Sequence, residues 1–423
     1  MKTLYVDNYR GFKNTYIPFM DVNFLVGENS TGKTSILNLV YLLMTPSFWF
    51  LPDFNNEDID MGYFNEIVNK ASDRQEYFDV GIEKRESEEE GIFKYIWMRF
   101  ESENDIPKIQ VCSIYNGKRT FYIKSQKDGI YFKSQQQGDI QFKNWIDKSK
   151  KTIDGKYERL LDSRLAKRIP FCLVLNLAQE SDGNTNTKKA SINNIMGPFA
   201  TPLVWIAPIR AKARRIYDMY KAHYSADGEH MPVLLNKLLN SEKKSRKYIN
   251  ALFEFGKSSN LFDKLETHSL GQEKGSPFRI EVTYGKLPMH ITHVGYGVSQ
   301  ILPIIMQILA SKNRFLAIQQ PEVHLHPKAQ AAFGDFVFQS AKEHSNHFII
   351  ETHSDYTINR FRLNISKSTT KSMLKSQIIF FERIGNETKA ISLPFKDNGG
   401  YSDNTPPSYG KFFIDEELQM LRI

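Results

Sequence analysis

The stretch "VNFLVGENSTGKTSILNLVYLL", residues 22–43, constrains this 423-residue chain more than any other. An apolar strand at 22–26 runs into Gly27-Glu28-Asn29-Ser30-Thr31-Gly32-Lys33-Thr34, and an amphipathic run with helical spacing follows. The octet satisfies G-x-x-x-x-G-K-[ST] in the strand–loop–helix context that the motif needs. Gly27 and Gly32 permit a tight turn and a close backbone approach that a side chain would block. The loop amides and the helix N-terminus together offer an anion site. Lys33 brings a cation to the β- and γ-phosphates of a nucleoside triphosphate, and the Thr34 hydroxyl is the expected magnesium ligand. The expected phosphate cradle is thus Gly27, Asn29, Ser30, Thr31, Gly32, Lys33, Thr34 and Ser35, with ATP and Mg2+ as cofactors.

Composition narrows the class. A hydrophobic content of 41% with 25% charged residues belongs to a water-soluble globular chain. The longer apolar runs, such as 301–310 with its internal proline and glutamine, fall short of a membrane span, and the first residues hold no apolar signal core. With two cysteines, Cys112 and Cys172, there is neither a disulfide framework nor a metal-ligand spacing. These features predict a cytoplasmic protein with no membrane partner. A net charge of +8, from 56 Lys and Arg against 48 Asp and Glu, permits a nucleic-acid partner without requiring one.

Around the phosphate loop, "YVDNYRGFKNTYIPF" reads as an antiparallel pair about a turn at Gly11. Short aromatic-rich runs such as "YFDVGIEK", "FKYIWMRF", "KIQVCSIYNG" and "GIYFKS" predict an antiparallel β-lobe, with a hairpin turn at Asn116-Gly117. Residues 143–170, with nine Lys or Arg against four Asp or Glu, read as a basic helical connector. "FCLVLNLAQ" (171–179) reads as a strand, "ESDGNTNTKKASINN" as a polar loop, "PLVWIAPIR" as another strand, and 211 to about 265 as helical. Arg210, Lys212, Arg214 and Arg215 with Tyr217 and Tyr220 form a basic–aromatic cluster, open to reading as a nucleic-acid contact or as a solvated helix face. "ESEEE" (86–90) reads as a solvated hairpin loop, and His324 with His326 lacks the partners of a metal pair.

After residue 275, three motifs follow in quick succession: "THVGYGVSQILPIIMQIL" (292–309), "FLAIQQPEVHLHP" (315–327) and "HFIIETHSDYTINRFR" (347–362). Together with "NYRGFKN", "GENSTGKTS", "APIRAKARRIY" and the closing "PPSYGKFFIDEE", this order resembles the ATP-binding-cassette branch of P-loop ATPases. More narrowly it resembles the stand-alone ATPases related to SMC proteins and to the overcoming-lysogenisation-defect (OLD) ATPases, many of which serve bacterial anti-phage systems. The resemblance implies an α/β fold: an ABC/SMC-like P-loop ATPase head with an inserted antiparallel β-lobe and a helical lobe. One composite ATPase over 1–423 would divide into strands and P-loop (1–50), β-lobe (51–142), mainly helical lobe (143–275), and a final part with signature, catalytic strand, switch histidine and C-terminal segment (276–423).

By the same resemblance, two subunits sandwich nucleotide, so a homodimer or higher homo-oligomer is implied. Gly295 and Gly297 match the signature that closes on the γ-phosphate, with Ser299 as the candidate hydroxyl. His353 matches the switch histidine, whose imidazole suits phosphate sensing near neutral pH. Seventy residues follow His353, too few for a Toprim-type nuclease, so the implied effector is a separate nuclease or toxin chain. The alternative is an SMC-like DNA-repair or chromosome-maintenance ATPase acting on DNA, although no heptad arm is present. A transporter ATPase fits the β-rich segment poorly, and a scaffold with structural ATP would show no turnover.

The strand at 315–319 ends in Gln319-Gln320, followed by Pro321 and Glu322. Related ATPases carry a carboxylate where Gln319 stands, to help hold magnesium or polarise the attacking water; Gln320 is ordinary there. Gln319, Gln320, Glu322 and His353 are the candidate catalytic residues, and Thr34 and Gln319 the candidate magnesium ligands. Three explanations of Gln319 stand side by side. It is a Glu→Gln change that traps the ATP-bound dimer, or a native residue with Glu322 or another carboxylate doing the work, or the mark of a nucleotide-gated switch without turnover.

Overall fold

Residues 22–27 are buried without exception, as a strand covered on both faces requires. In the computed structural model, which describes residues 1–85, 93–181, 203–220, 223–241, 246–273, 275–368 and 374–411, they form β3 (Val22–Gly27), after β1 (Thr3–Asp7) and β2 (Thr15–Pro18). Helix α1 (Lys33–Met44) follows, then β4 (Tyr77–Glu83), β5 (Tyr95–Glu103), β6 (Ile106–Tyr115), β7 (Arg119–Gln126) and β8 (Gly129–Gln136). Next come α2 (Phe142–Lys151), β9 (Glu158–Asp162), α3 (Phe171–Glu180), β10 (Leu203–Ile206), α4 (Met231–Leu239) and α5 (Arg246–Ser259). The remainder is β11 (Lys264–Ser269), β12 (Phe278–Tyr284), β13 (Leu287–His290), α6 (Tyr296–Leu309), β14 (Phe315–Gln319), α7 (Pro327–His344), β15 (His347–Glu351), α8 (Asp355–Lys367), β16 (Ser376–Ile384) and β17 (Glu387–Pro394). The chain divides into two units, one of Met1–Phe19, Glu28–Pro202 and Phe381–Ser392, the other of Met20–Gly27, Leu203–Phe380 and Leu393–Ile423.

The first unit is built on an eight-stranded antiparallel sheet in the order β2-β1-β4-β5-β6-β7-β8-β9. Its aromatic-rich strands alternate enough to bury one face under α2: Tyr5, Trp97, Tyr115, Phe142, Trp145 and Ile146 form one core cluster. The Trp145 indole N–H is satisfied by Thr120 Oγ1 at 3.0 Å. Asn116 accepts from the amides of Lys118 and Arg119, and Gly117 takes a φ of 92°, closing the β6–β7 turn. Beneath the sheet lies a charged network. Asp79 accepts from Arg99 at 2.8 and 3.1 Å, and Lys150 reaches both Asp79 (3.0 Å) and Asp7 (2.6 Å).

The second unit carries a six-stranded sheet, β10-β14-β15-β3-β16-β17, in which β10, β14, β15 and β3 run parallel, and a small antiparallel sheet β11-β12-β13. Helices α7 and α8 approach closely because position 334 is glycine: a Cβ there would lie 2.4 Å from the Thr357 carbonyl oxygen. The parallel register sets Gln319 opposite Glu351, and Glu351 opposite Leu25, two residues before Gly27. The C-terminal strand ends, where α/β sheets bind their ligands, therefore share one edge. No helix among the described residues is long and apolar enough to cross a membrane.

Three sequence expectations are corrected. The "FCLVLNLAQ" segment is helix α3; its buried Cys172, Leu175 and Gln179 recur at helical spacing, and Asn176 Nδ2 bonds the Cys172 carbonyl four residues back. The basic connector is helical over α2 but continues as strand β9. The stretch from 211 to about 265 is helical in α4 and α5, whereas 207–220 has no helix; there the amides of Ala207 and Ala211 bond the carbonyls of Ala226 and Asp227. The "ESEEE" run, the 182–194 part of the polar loop and the last residues of "PPSYGKFFIDEE" lie outside the described residues.

Candidate nucleotide site

The phosphate loop is shaped by its own glycines and main-chain oxygens. Gly32 is the N-cap of α1 at φ 85° and ψ 10°, a left-handed conformation natural to glycine, and a Cβ there would meet the Phe12 ring at 2.7 Å. Glycine carries no side chain to cap the helix, so its first amides are turned to the loop. The Glu28 carbonyl organises the interior, accepting from Thr31 Oγ1 at 2.7 Å and from Lys33 Nζ at 2.6 Å. Lys33 is buried on this oxygen, while Glu28, Asn29, Ser30 and Thr34 are exposed and Ser35 is half-buried. The Ser35 carbonyl accepts from the Tyr9 hydroxyl at 3.0 Å, which ties the first turn of α1 down.

At the edge of the parallel sheet, Gln319 is buried and its Nε2 donates to Glu351 Oε2 at 3.2 Å. The Gln320 amide donates to the Glu351 carbonyl at 2.8 Å, and Gln320 takes a φ of 41°. This left-handed turn redirects the chain so that Glu322 faces the end of β15. Both Glu322 carboxylate oxygens are committed there, accepting from Thr352 Oγ1 at 2.8 Å and from the His353 amide at 2.6 Å. Burial pushes the Glu322 carboxyl up, against the opposing pull of these donors and of the Arg210 charge. Ser354 caps α8 by accepting from the Thr357 amide at 3.0 Å, which holds His353 at the strand-to-helix junction.

A strand-borne phosphate loop and a polar-tipped parallel edge are both found in one large group of nucleotide hydrolases, and residues 1–358 match the AAA ATPase domain family. The chain belongs to that family. Among solved structures it is similar to an SMC head bound to the C-winged helix domain of ScpA (13% identity, 93% of this chain and 98% of that chain, TM-score 0.39). It is also similar to the SMC head domain from Thermotoga maritima (12%, 92% and 98%, 0.37). A third is the Smc head domain with an extended coiled coil bound to the C-terminal domain of ScpA derived from Pyrococcus furiosus (12%, 99% and 99%, 0.39). No curated protein matches the chain.

In this AAA ATPase domain the glycine-rich motif opens α6, with Gly295 as its N-cap. Gly297 is required by contact, since a Cβ would stand 2.6 Å from the His324 carbonyl oxygen. The Tyr296 ring meets the His324 ring edge-on at 4.8 Å. Ser299 departs from the expectation of an offered hydroxyl: it is buried, and its Oγ donates back to the Tyr296 carbonyl at 2.8 Å. His326 caps α7, and no cluster of three or more His, Cys, Asp or Glu able to hold a metal occurs among the described residues.

Two residues of the cluster were not singled out for this site from sequence. Glu351, in "ETHSD", is a charge inside an apolar strand, a signal that was there to be read. In sequence Arg210 stands among basic neighbours, but the structure separates it from them. Lys212, Arg214, Arg215 and Tyr220 are exposed, whereas Arg210 is 2% exposed and donates to the carbonyls of Gln319 (2.7 Å) and Gln320 (3.2 Å).

Proposed function

We propose that this ATPase is an ATP-driven switch in which two copies close on nucleotide and the closed state controls a separate effector, a nuclease or toxin, in anti-phage defence. The observation that carries the switch reading is the Gln319–Glu351 pair. An amide there keeps a hydrogen-bonded strand end while removing the basicity that hydrolysis draws on. The motif-by-motif resemblance to OLD-type ATPases supports the effector and defence parts. Lys33 and the loop amides bind phosphate, Glu322 orients the His353 backbone, and His353 senses the γ-phosphate. Magnesium, when bound, supplies charge neutralisation on the phosphates. The exposed Thr34 hydroxyl is a hard oxygen donor of the kind that ion takes, and so is the amide oxygen of Gln319, whose Nε2 donates to Glu351.

The test is phosphate release by this chain, by Gln319→Glu and by Lys33→Ala at equal ATP and magnesium, with the mass of each in solution. The chain is expected to form an ATP-dependent dimer with little release, Gln319→Glu to release phosphate at least about tenfold faster, and Lys33→Ala to do neither. Gln319→Glu also sets two carboxylates side by side, so magnesium should raise its melting temperature more than that of the parent. Equal release by chain and Gln319→Glu would move the chemistry to Glu322 or Glu351, and a monomer at saturating ATP would sink the sandwich.

A further inference from the structure

Arg210 is expensive as a packing residue. Burial pulls its guanidinium down to about 10, and among the described residues no carboxylate pairs with it within 4.0 Å. Its hydrogen bonds go to two main-chain oxygens, those of Gln319 and Gln320, while Nε and Nη1 have no hydrogen-bond partner among the described residues. An apolar side chain of similar volume would fill the same space without desolvating a charge. The backbone that presents Arg210 is itself fixed on both sides, through the amides of Ala207 and Ala211.

We propose that Arg210 is a positioning residue for ATP hydrolysis: by gripping both carbonyls it holds Gln320 in its left-handed turn, aims Glu322 at the end of β15, and so sets the main chain at His353. The chain of contacts is continuous. Arg210 Nη2 bonds residues 319 and 320, the turn at 320 delivers Glu322, and Glu322 receives the Thr352 hydroxyl and the His353 amide. A single nitrogen, Nη2, serves both carbonyls, and the Gln320 carbonyl also accepts from the Val323 amide at 3.3 Å; the planar guanidinium fixes where that nitrogen stands, which a flexible ammonium does less well. The inference rests on reading the 319–353 cluster as the catalytic edge.

Hydrogen exchange of Arg210→Met and Arg210→Lys, beside the parent, tests it without requiring turnover. The reporters are the Gln320 and His353 amides, in peptides covering 316–324 and 348–354; peptide 24–35 is the control. In Arg210→Met both reporters should exchange about ten to a hundredfold faster while the phosphate-loop peptide stays within about twofold. Arg210→Lys should recover part of the protection. Placed in Gln319→Glu, Arg210→Met should lower kcat with KM held. Unchanged exchange at His353 in a folded Arg210→Met overturns the proposal, and so does a uniform rise across β3, β14 and β15, which is the signature of a merely structural residue. Should Gln319→Glu show no turnover, the catalytic reading fails while the exchange pattern still decides the positioning role.

Discussion

The molecule buries two polar clusters that are built on opposite terms. Under the antiparallel sheet, Asp7 and Asp79 meet Arg99 and Lys150, so that two anions face two cations and every charge has an ionic partner. At the end of the parallel sheet, one buried cation rests on neutral carbonyls, an amide stands against a carboxylate, and a second carboxylate is held by a hydroxyl and a backbone amide. The first arrangement is electrostatically matched. The second leaves donors unmatched on Arg210 and pushes the Glu322 carboxyl up. Perturbed, unmatched groups are enriched at sites that do chemistry, and this contrast supports the catalytic reading proposed for the second cluster.

The comparison can be broken most forcefully at Asp79. Asp79→Ala strips Arg99 and Lys150 of their shared partner inside the sheet, and should cost about 3–5 kcal/mol by denaturant titration. A loss below about 1 kcal/mol would mean the network is no more than a surface-like pair. A smaller effect sharpens the other side. Thr352→Val removes one donor from a charged carboxylate and should cost about 1.5–3 kcal/mol near neutral pH. The folded Glu322 carboxyl is already raised, so its ionised form is lost as pH falls through that folded value. Removing Thr352 raises it further. Thr352 Oγ1 also accepts from the Ser354 amide at 3.0 Å, a bond whose loss does not depend on pH. The gap between parent and variant must therefore widen as pH rises and narrow, without vanishing, at acidic pH, and a wholly pH-independent gap would refute the assignment. Smallest of all, Arg214→Ala breaks a pair with Glu229 on an exposed side chain and should change stability by less than about 1 kcal/mol.

How much of this was legible depends on the range of the interaction. The phosphate loop is a local device, with its strand, glycines, lysine and helix inside 22 residues, and the chain could be read there directly. The antiparallel pairing of β1 with β2 and the Asn116-Gly117 turn were local as well. Where short apolar runs offered no clear period, the reading failed: nine residues of "FCLVLNLAQ" suit a strand or a helix, and tertiary burial decided for α3. Arg210 was legible only as a charge. Its partners lie 109 and 110 residues away, and nothing in "PIRAKARR" distinguishes the arginine that turns inward from those that stay in water. Ser299 shows the converse, a motif position whose side chain is spent on its own helix.

The Lys33 ammonium bound to the Glu28 carbonyl has a consequence for ligand selection. An anion that takes Lys33 competes with this main-chain oxygen. A neutral ligand gains nothing by that exchange, and a singly charged one gains little. A polyphosphate can replace that oxygen on the lysine while its other oxygens reach the amides of the loop, an exchange that favours concentrated negative charge.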